Sequence, residues 1–168
     1  MTIHIERSMI VNIPSDKIWE TMNDFGGIEK YAPTITSSPI INDIKSGLGA
    51  KRKCTFNDGS SMVEEIIEFN EGQGYSMVLT EFSAPLNSMH AEVRVKKIDA
   101  NSSELYMSAD VETKSGPLGW LMGNVLMPPI MKGVFKKVMS GLAYYSATQN
   151  EVAEKLPSND VLAKIIVA

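Results

Sequence analysis

Apolar and polar residues alternate strictly over two stretches in the middle of the chain. Met89, Ala91, Val93 and Val95 are separated by His90, Glu92 and Arg94, with Lys96 following, and Leu105, Met107, Ala109 and Val111 alternate with Tyr106, Ser108, Asp110 and Glu112. A period of two places each set on its own face of a strand, so both stretches predict strands with one apolar face. Near the N-terminus, Ile3, Ile5, Met9 and Val11 against His4, Glu6, Ser8 and Asn12 predict another. Between about residues 35 and 113, turn chemistry recurs at FNDGSS (56–61), NEGQG (70–74), SAPLNS (83–88) and DANSSE (99–104). Those spacings suit consecutive hairpins and predict a meander.

Two other segments carry the helical period. Over residues 14–25, Ile18, Trp19, Met22 and Phe25 form one apolar stripe. Pro14 suits a first turn, Asp16 complements the positive helix end, and Gly26–Gly27 offers a left-handed stop. From about residue 117 to 151 one long helix is expected. Met127, Ile130, Met131, Val134, Phe135, Val138, Leu142 and Tyr145 fall within an arc of roughly 140°, with Lys132, Lys136 and Ser140 opposite. Pro128–Pro129 predicts a bend or break near residue 128. Residues 152–168 form a C-terminal tail, in which SNDVLAKIIVA is compatible with a short extra helix. Its Leu162, Ile165 and Ile166 need cover from this domain or from a second copy.

A strand, short helices, a run of antiparallel strands and one long amphipathic helix define an α+β fold. The expected arrangement is a single domain, 1–168, in which a curved sheet of about seven strands grips the C-terminal helix. One helix about 10 Å wide cannot fill the concave side of such a sheet, so a hollow remains.

Composition narrows the function classes. A chain of 168 residues that is 43% hydrophobic supports one sizeable core. A net charge of −4 gives no general attraction to phosphate backbones, which disfavours nucleic acid. The basic runs at 51–53, 96–97 and 136–137 are separated and read as solvated faces. Cys54 is the single cysteine, so no internal disulfide forms, and MTIHIERSMIVNI lacks a basic n-region and an unbroken apolar core; together these set a cytoplasmic location as the expectation. The longest uncharged run, 115–131, is too short and too broken by Pro and Gly to span a membrane. No metal or cofactor is expected: His4 and His90 fall on polar strand faces, no ligand-spaced cluster exists, and SGLGAK runs into a strand rather than a helix.

Three stretches in order carry a family resemblance: VNIPSDKIWETMNDFGGIEKYAP (11–33), SGLGAKRKCTFNDGSSMVEEIIEFN (46–70) and GLAYYSATQ (141–149). They resemble the START-like, Bet v 1-like (SRPBCC) superfamily, in particular its polyketide cyclase/dehydrase-type branch, over nearly the whole chain. The resemblance implies a helix-grip fold with an apolar pocket between sheet and long helix. It also implies that NDGSS (57–61) and SAPLNS (83–88) border the pocket mouth, and it shares no particular reaction, because function sits in the pocket and not the fold.

The candidate pocket wall is Met77, Met89, Ala91, Val93, Met107 and Ala109 from the strands, with Met127, Met131 and Val134 from the helix. Methionine, eleven residues here, conforms to varied apolar guests, although ordinary cores use it too. Glu64 and Glu65 fall on opposite strand faces, so one points inward. Val63, Ile67 and Phe69 share the parity of Glu65, whereas the resemblance points to Glu64, and a bulge near Ile66–Ile67 would reconcile the two. An inward carboxylate would serve as polar anchor or as general acid/base. The leading expectation is therefore binding or transport of a small hydrophobic ligand such as a lipid or polyketide. The alternatives are a polyketide aromatase/cyclase or dehydratase using that carboxylate, and a protein-interaction module. Whether any reaction is catalysed, and the oligomeric state, stay open.

Overall fold

The computed structural model describes residues 2–82, 88–112 and 116–167. Seven strands form one antiparallel sheet: β1 (Thr2–Val11), β2 (Ile35–Ser37), β3 (Lys51–Phe56), β4 (Ser61–Asn70), β5 (Gly74–Thr80), β6 (Ser88–Lys97) and β7 (Ser103–Glu112). Their order is β1-β7-β6-β5-β4-β3-β2, so the meander from β2 to β7 is closed by β1 pairing with β7. Inward residues line up in rows across the sheet. One row runs Ile3, Val111, Met89, Leu79, Glu64, Arg52, and the next runs Ile5, Ala109, Ala91, Met77, Ile66. The alternation in β6 and β7 therefore places Met89, Ala91, Val93, Leu105, Met107, Ala109 and Val111 in the core, as their period requires.

The first helix, α1 (Ser15–Asn23), follows Pro14, and a 3₁₀ helix covers Phe25–Lys30. The expected left-handed glycine stop is not used: the chain leaves α1 through Asp24 (φ −74°, ψ 71°), and neither Gly26 nor Gly27 has positive φ. Gly27 instead makes room for the Asp24 carboxylate, whose Oδ2 would lie 2.3 Å from a Cβ there and accepts a hydrogen bond from Lys30 Nζ at 2.6 Å. Phe25 consequently leaves the α1 stripe and becomes a buried anchor of the 3₁₀ turn.

The single long helix expected over 117–151 is three pieces: α2 (Pro117–Leu121), a π-helical turn (Met122–Leu126) and α3 (Met127–Thr148). Prolines 128 and 129 occupy the first turn of α3. Their missing N–H groups and their rings act on the carbonyls four residues earlier, at 124 and 125, so the irregularity falls inside the π turn, before the prolines. The helix ends where Gln149 adopts φ 58° and donates its N–H to the Tyr145 carbonyl.

Two positions on α3 depart from the expected stripe. Ile130 is exposed, and Ser140 is buried. Near its start α3 has only one covered face, whereas further along α1 and the Tyr31 turn pack on its other side. There Gly141 lets the Tyr31 carbonyl oxygen approach to within 1.8 Å of where a Cβ would stand, and Ser146 Oγ donates to Thr21 Oγ1 at 2.9 Å.

After Pro157, α4 (Asn159–Leu162) turns the tail back onto its own domain. Asn12 N–H donates to the Ile165 carbonyl and Val167 N–H to the Ile10 carbonyl, both at 2.8 Å, and Ile166 bridges Val11. Leu162 is buried, and Ile165 and Ile166 pack on the core. Val161 and Val167 of the tail stay exposed, and the densest group of exposed large apolar side chains lies elsewhere, at Trp120, Leu121, Val125, Leu126 and Ile130. Among the described residues no helix is long and apolar enough to cross a membrane.

Candidate functional site

Between the concave face of the sheet and α3 lies a cavity of about 250 Å³. Nine of the ten expected wall residues line it: Glu64, Met77, Met89, Ala91, Val93, Met107, Met127, Met131 and Val134. Ala109 does not. It is fully buried, but on the side of the sheet where α3 packs toward β1 and the gap closes. Burial grades along the cavity. Phe56, Ser60, Ser61, Met62, Phe82, Met131 and Val134 are half-buried and mark the mouth, while Arg52, Glu64, Tyr75 and Leu142 form the enclosed floor. The β3–β4 hairpin therefore borders the mouth through Ser60 and Ser61. The second expected mouth loop, 83–88, falls almost wholly outside the described residues.

The choice between Glu64 and Glu65 is settled by a bulge. Glu64 pairs with Leu79 and Ile66 with Met77, but the register then skips Ile67, so that Glu68 pairs with Ser76 and Phe69 with Tyr75. Glu64 and Ile66 point inward before the bulge, and Phe69 shares their face only because of it. Glu65 is half-buried and meets Lys51 Nζ at 3.1 Å.

Glu64 is not alone in the hollow. Arg52, in the middle of the basic run at 51–53, is fully buried and not solvated as its neighbours suggested. Its Nε donates to Glu64 Oε2 in a close ion pair, its Nη1 donates to the Phe25 carbonyl at 2.5 Å, and its guanidinium stacks 4.0 Å from the Phe25 ring centre. Cys54 Sγ lies 3.4 Å from the same carboxylate oxygen, and Tyr75 stands edge-on to Phe25 with ring centres 5.7 Å apart. A buried arginine is tolerated because the charge has a partner, a carbonyl acceptor and an aromatic face.

The signal for Arg52 was present in the chain. On β3 it shares its parity with Cys54 and Phe56, both apolar, and a hairpin centred on Asp58 places residue 52 opposite residue 64. Tyr31, Phe135 and Leu142 also line the cavity without having been singled out as wall residues.

Burial is the largest single influence on the protonation of the hydroxyls, the thiol and the guanidinium on this floor. Burial pushes the Tyr31 and Tyr75 hydroxyls up, so both remain neutral donors. Burial, reinforced by the Glu64 charge, likewise pushes the Cys54 thiol up, away from the thiolate that a nucleophile needs. For Arg52, burial opposes the charge, but Glu64, together with Cys54, Tyr75 and Tyr31, outweighs it and the pKa rises. The floor thus offers fixed donors and a paired carboxylate. Among the described residues no cluster of His, Cys, Asp and Glu is arranged to hold a metal ion.

A curved antiparallel sheet gripping a helix around a lined hollow defines a helix-grip, START-like protein. The family model described as polyketide cyclase / dehydrase and lipid transport matches residues 2–147, and the chain belongs to that family. Among curated proteins no sequence matches it. Solved structures share the fold at low identity. Ara h 8.0201 is 20% identical at a TM-score of 0.70, covering 88% of this chain and 99% of its own. A solution structure from Thermobifida fusca is also 20% identical at 0.70, covering 89% and 97%. The protein XoxI from Bacillus cereus is 17% identical at 0.70, covering 88% and 97%.

Proposed function

We propose that this protein binds and carries a small, largely apolar molecule in the cavity between sheet and α3. The observation that carries the reading is a hollow of about 250 Å³ whose wall is apolar except for one buried ion pair and a few hydroxyls. In this reading Met77, Met89, Ala91, Val93, Met107, Met127, Met131 and Val134 contact the guest, and Glu64 with Arg52 meets its polar end. The driving force is apolar area removed from water, on the order of 25 cal/mol per Å² before association costs.

The aromatase/cyclase alternative gains polar groups that converge on the floor, but it requires one that exchanges a proton near neutral pH. Arg52, Tyr31, Tyr75 and Cys54 are all shifted away from that range, and Glu64 is engaged by Arg52. These features favour holding a molecule over transforming it.

Native mass spectrometry of freshly purified protein tests the proposal. The expected spectrum contains a small-molecule adduct that disappears on mild collisional activation. A spectrum of bare chain alone, together with no displacement of an added apolar fluorophore by any lipophilic competitor, would overturn the reading.

A further inference from the structure

The charge balance of the cavity limits what it accepts, and this inference rests on the binding function just proposed. Among the described lining residues, Arg52 and Glu64 are the charged ones, and they neutralise each other. Adding a carboxylate or an ammonium would leave one uncompensated charge in apolar surroundings, the arrangement that proteins tolerate least. A purely hydrocarbon guest would bury the pair while meeting none of its spare hydrogen-bonding capacity. A guanidinium has five N–H groups, and the bonds described for Arg52 use Nε and Nη1, with Tyr75 also in reach. Both described contacts of Glu64 fall on Oε2.

We infer that the guest is uncharged and carries one polar end that both donates and accepts, such as a phenol, an enol or an alcohol, bound head-first against Arg52 and Glu64. Its hydroxyl oxygen accepts a hydrogen bond from Arg52 while its O–H donates one to the Glu64 carboxylate. The head lies deep because Arg52 stands four residues along β3 from Phe56 at the mouth, about 13 Å at strand rise. The apolar body then lies among Met77, Met107, Met127 and Met131. Size adds a second limit. A cavity of about 150 Å³ is enough for benzene, so 250 Å³ encloses a body of one or two rings or a short chain, and a longer acyl chain or larger ring system would have to extend through the mouth.

Three probes of one shape separate the possibilities: naphthalene, 2-naphthol and 2-naphthoate, titrated at pH 7.5 while the methionine methyl resonances are followed by NMR. The expected result is 2-naphthol binding at least tenfold tighter than either of the others, with shifts at Met77 and Met107. In the Arg52→Met/Glu64→Leu double variant, naphthalene binding is retained and the preference for the alcohol is lost. Comparison of the three probes on the unaltered protein stands even if that variant does not fold. If 2-naphthoate binds as tightly as 2-naphthol, or naphthalene does, the head-group inference is wrong while the binding function survives. If none of the three moves a methionine resonance, the binding function itself is wrong.

Discussion

At the scale of single residues, the Arg52–Glu64 pair makes an asymmetric prediction. Both side chains are almost completely enclosed. Glu64→Leu leaves a buried guanidinium without its partner and is expected to cost about 3–5 kcal/mol, whereas replacing both with Met and Leu is expected to cost far less, because the desolvation of two charges disappears with them. Urea denaturation of the two variants checks this, and equal losses in both would contradict it. A second residue-scale prediction concerns His4 on the outer face, whose Nδ1 lies 2.8 Å from Asp110 Oδ1 and Nε2 3.4 Å from Glu6 Oε2. The bond to Asp110, and then that to Glu6, raise its pKa above 6.5. The protonated ring is therefore favoured by folding. Its stabilisation is complete below about pH 6.5, the unfolded value, and fades as pH rises through the folded value. The expected sign is a small fall in urea midpoint between pH 5.5 and pH 8 that shrinks in His4→Gln; a fall of the same size in that variant would reject the assignment. Much of this residue-level detail was legible through parity alone. Strand alternation put the histidines outside and the methionines inside, and it failed at Arg52 only because a run of three basic residues looks solvated until its hairpin partner is considered.

At the scale of elements, α3 shows what a helical period can and cannot reveal. The period located the face that meets the sheet, but it carries no information on where a second neighbour arrives, which is why Ile130 and Ser140 exchanged their expected environments. The prolines announced an interruption, but its position depended on which carbonyls they disturb. Two glycines in this one helix provide the test. Gly141 faces the Tyr31 carbonyl so closely that Gly141→Ala must push helix and turn apart, and a loss of about 1–3 kcal/mol is expected. Gly133 is exposed, has open space within 4 Å of the point where a Cβ would stand and has ordinary helical φ, so Gly133→Ala is expected to gain roughly 0.5–1 kcal/mol. Thermal melts of both variants should shift in opposite directions. Shifts of the same sign would mean that the close approach at Gly141 does not shape the fold.

At the scale of the whole molecule, the grip of sheet on helix was legible because seven strands and one long amphipathic helix admit few arrangements in which both apolar faces are covered. The depth of the hollow and the fate of the tail were not, since both depend on contacts between residues far apart in sequence. The tail matters for the integrity of the sheet. β1 is an edge strand, and unpaired edges invite pairing with other chains. The hydrogen bonds from Asn12 to Ile165 and from Val167 to Ile10 cover the end of that edge, while Leu162, Ile165 and Ile166 add apolar contact. Removing residues 157–168 is therefore expected to cost about 3–6 kcal/mol, the burial of roughly two aliphatic side chains. It should also speed hydrogen exchange at the Asn12 amide and make the shortened chain associate as its concentration rises. Size-exclusion chromatography across a dilution series and amide exchange by NMR measure the two effects separately. If the shortened chain keeps both its stability and its protected Asn12 amide, the tail only rests on β1, and the edge must be protected by the charges that β1 itself presents at His4 and Glu6.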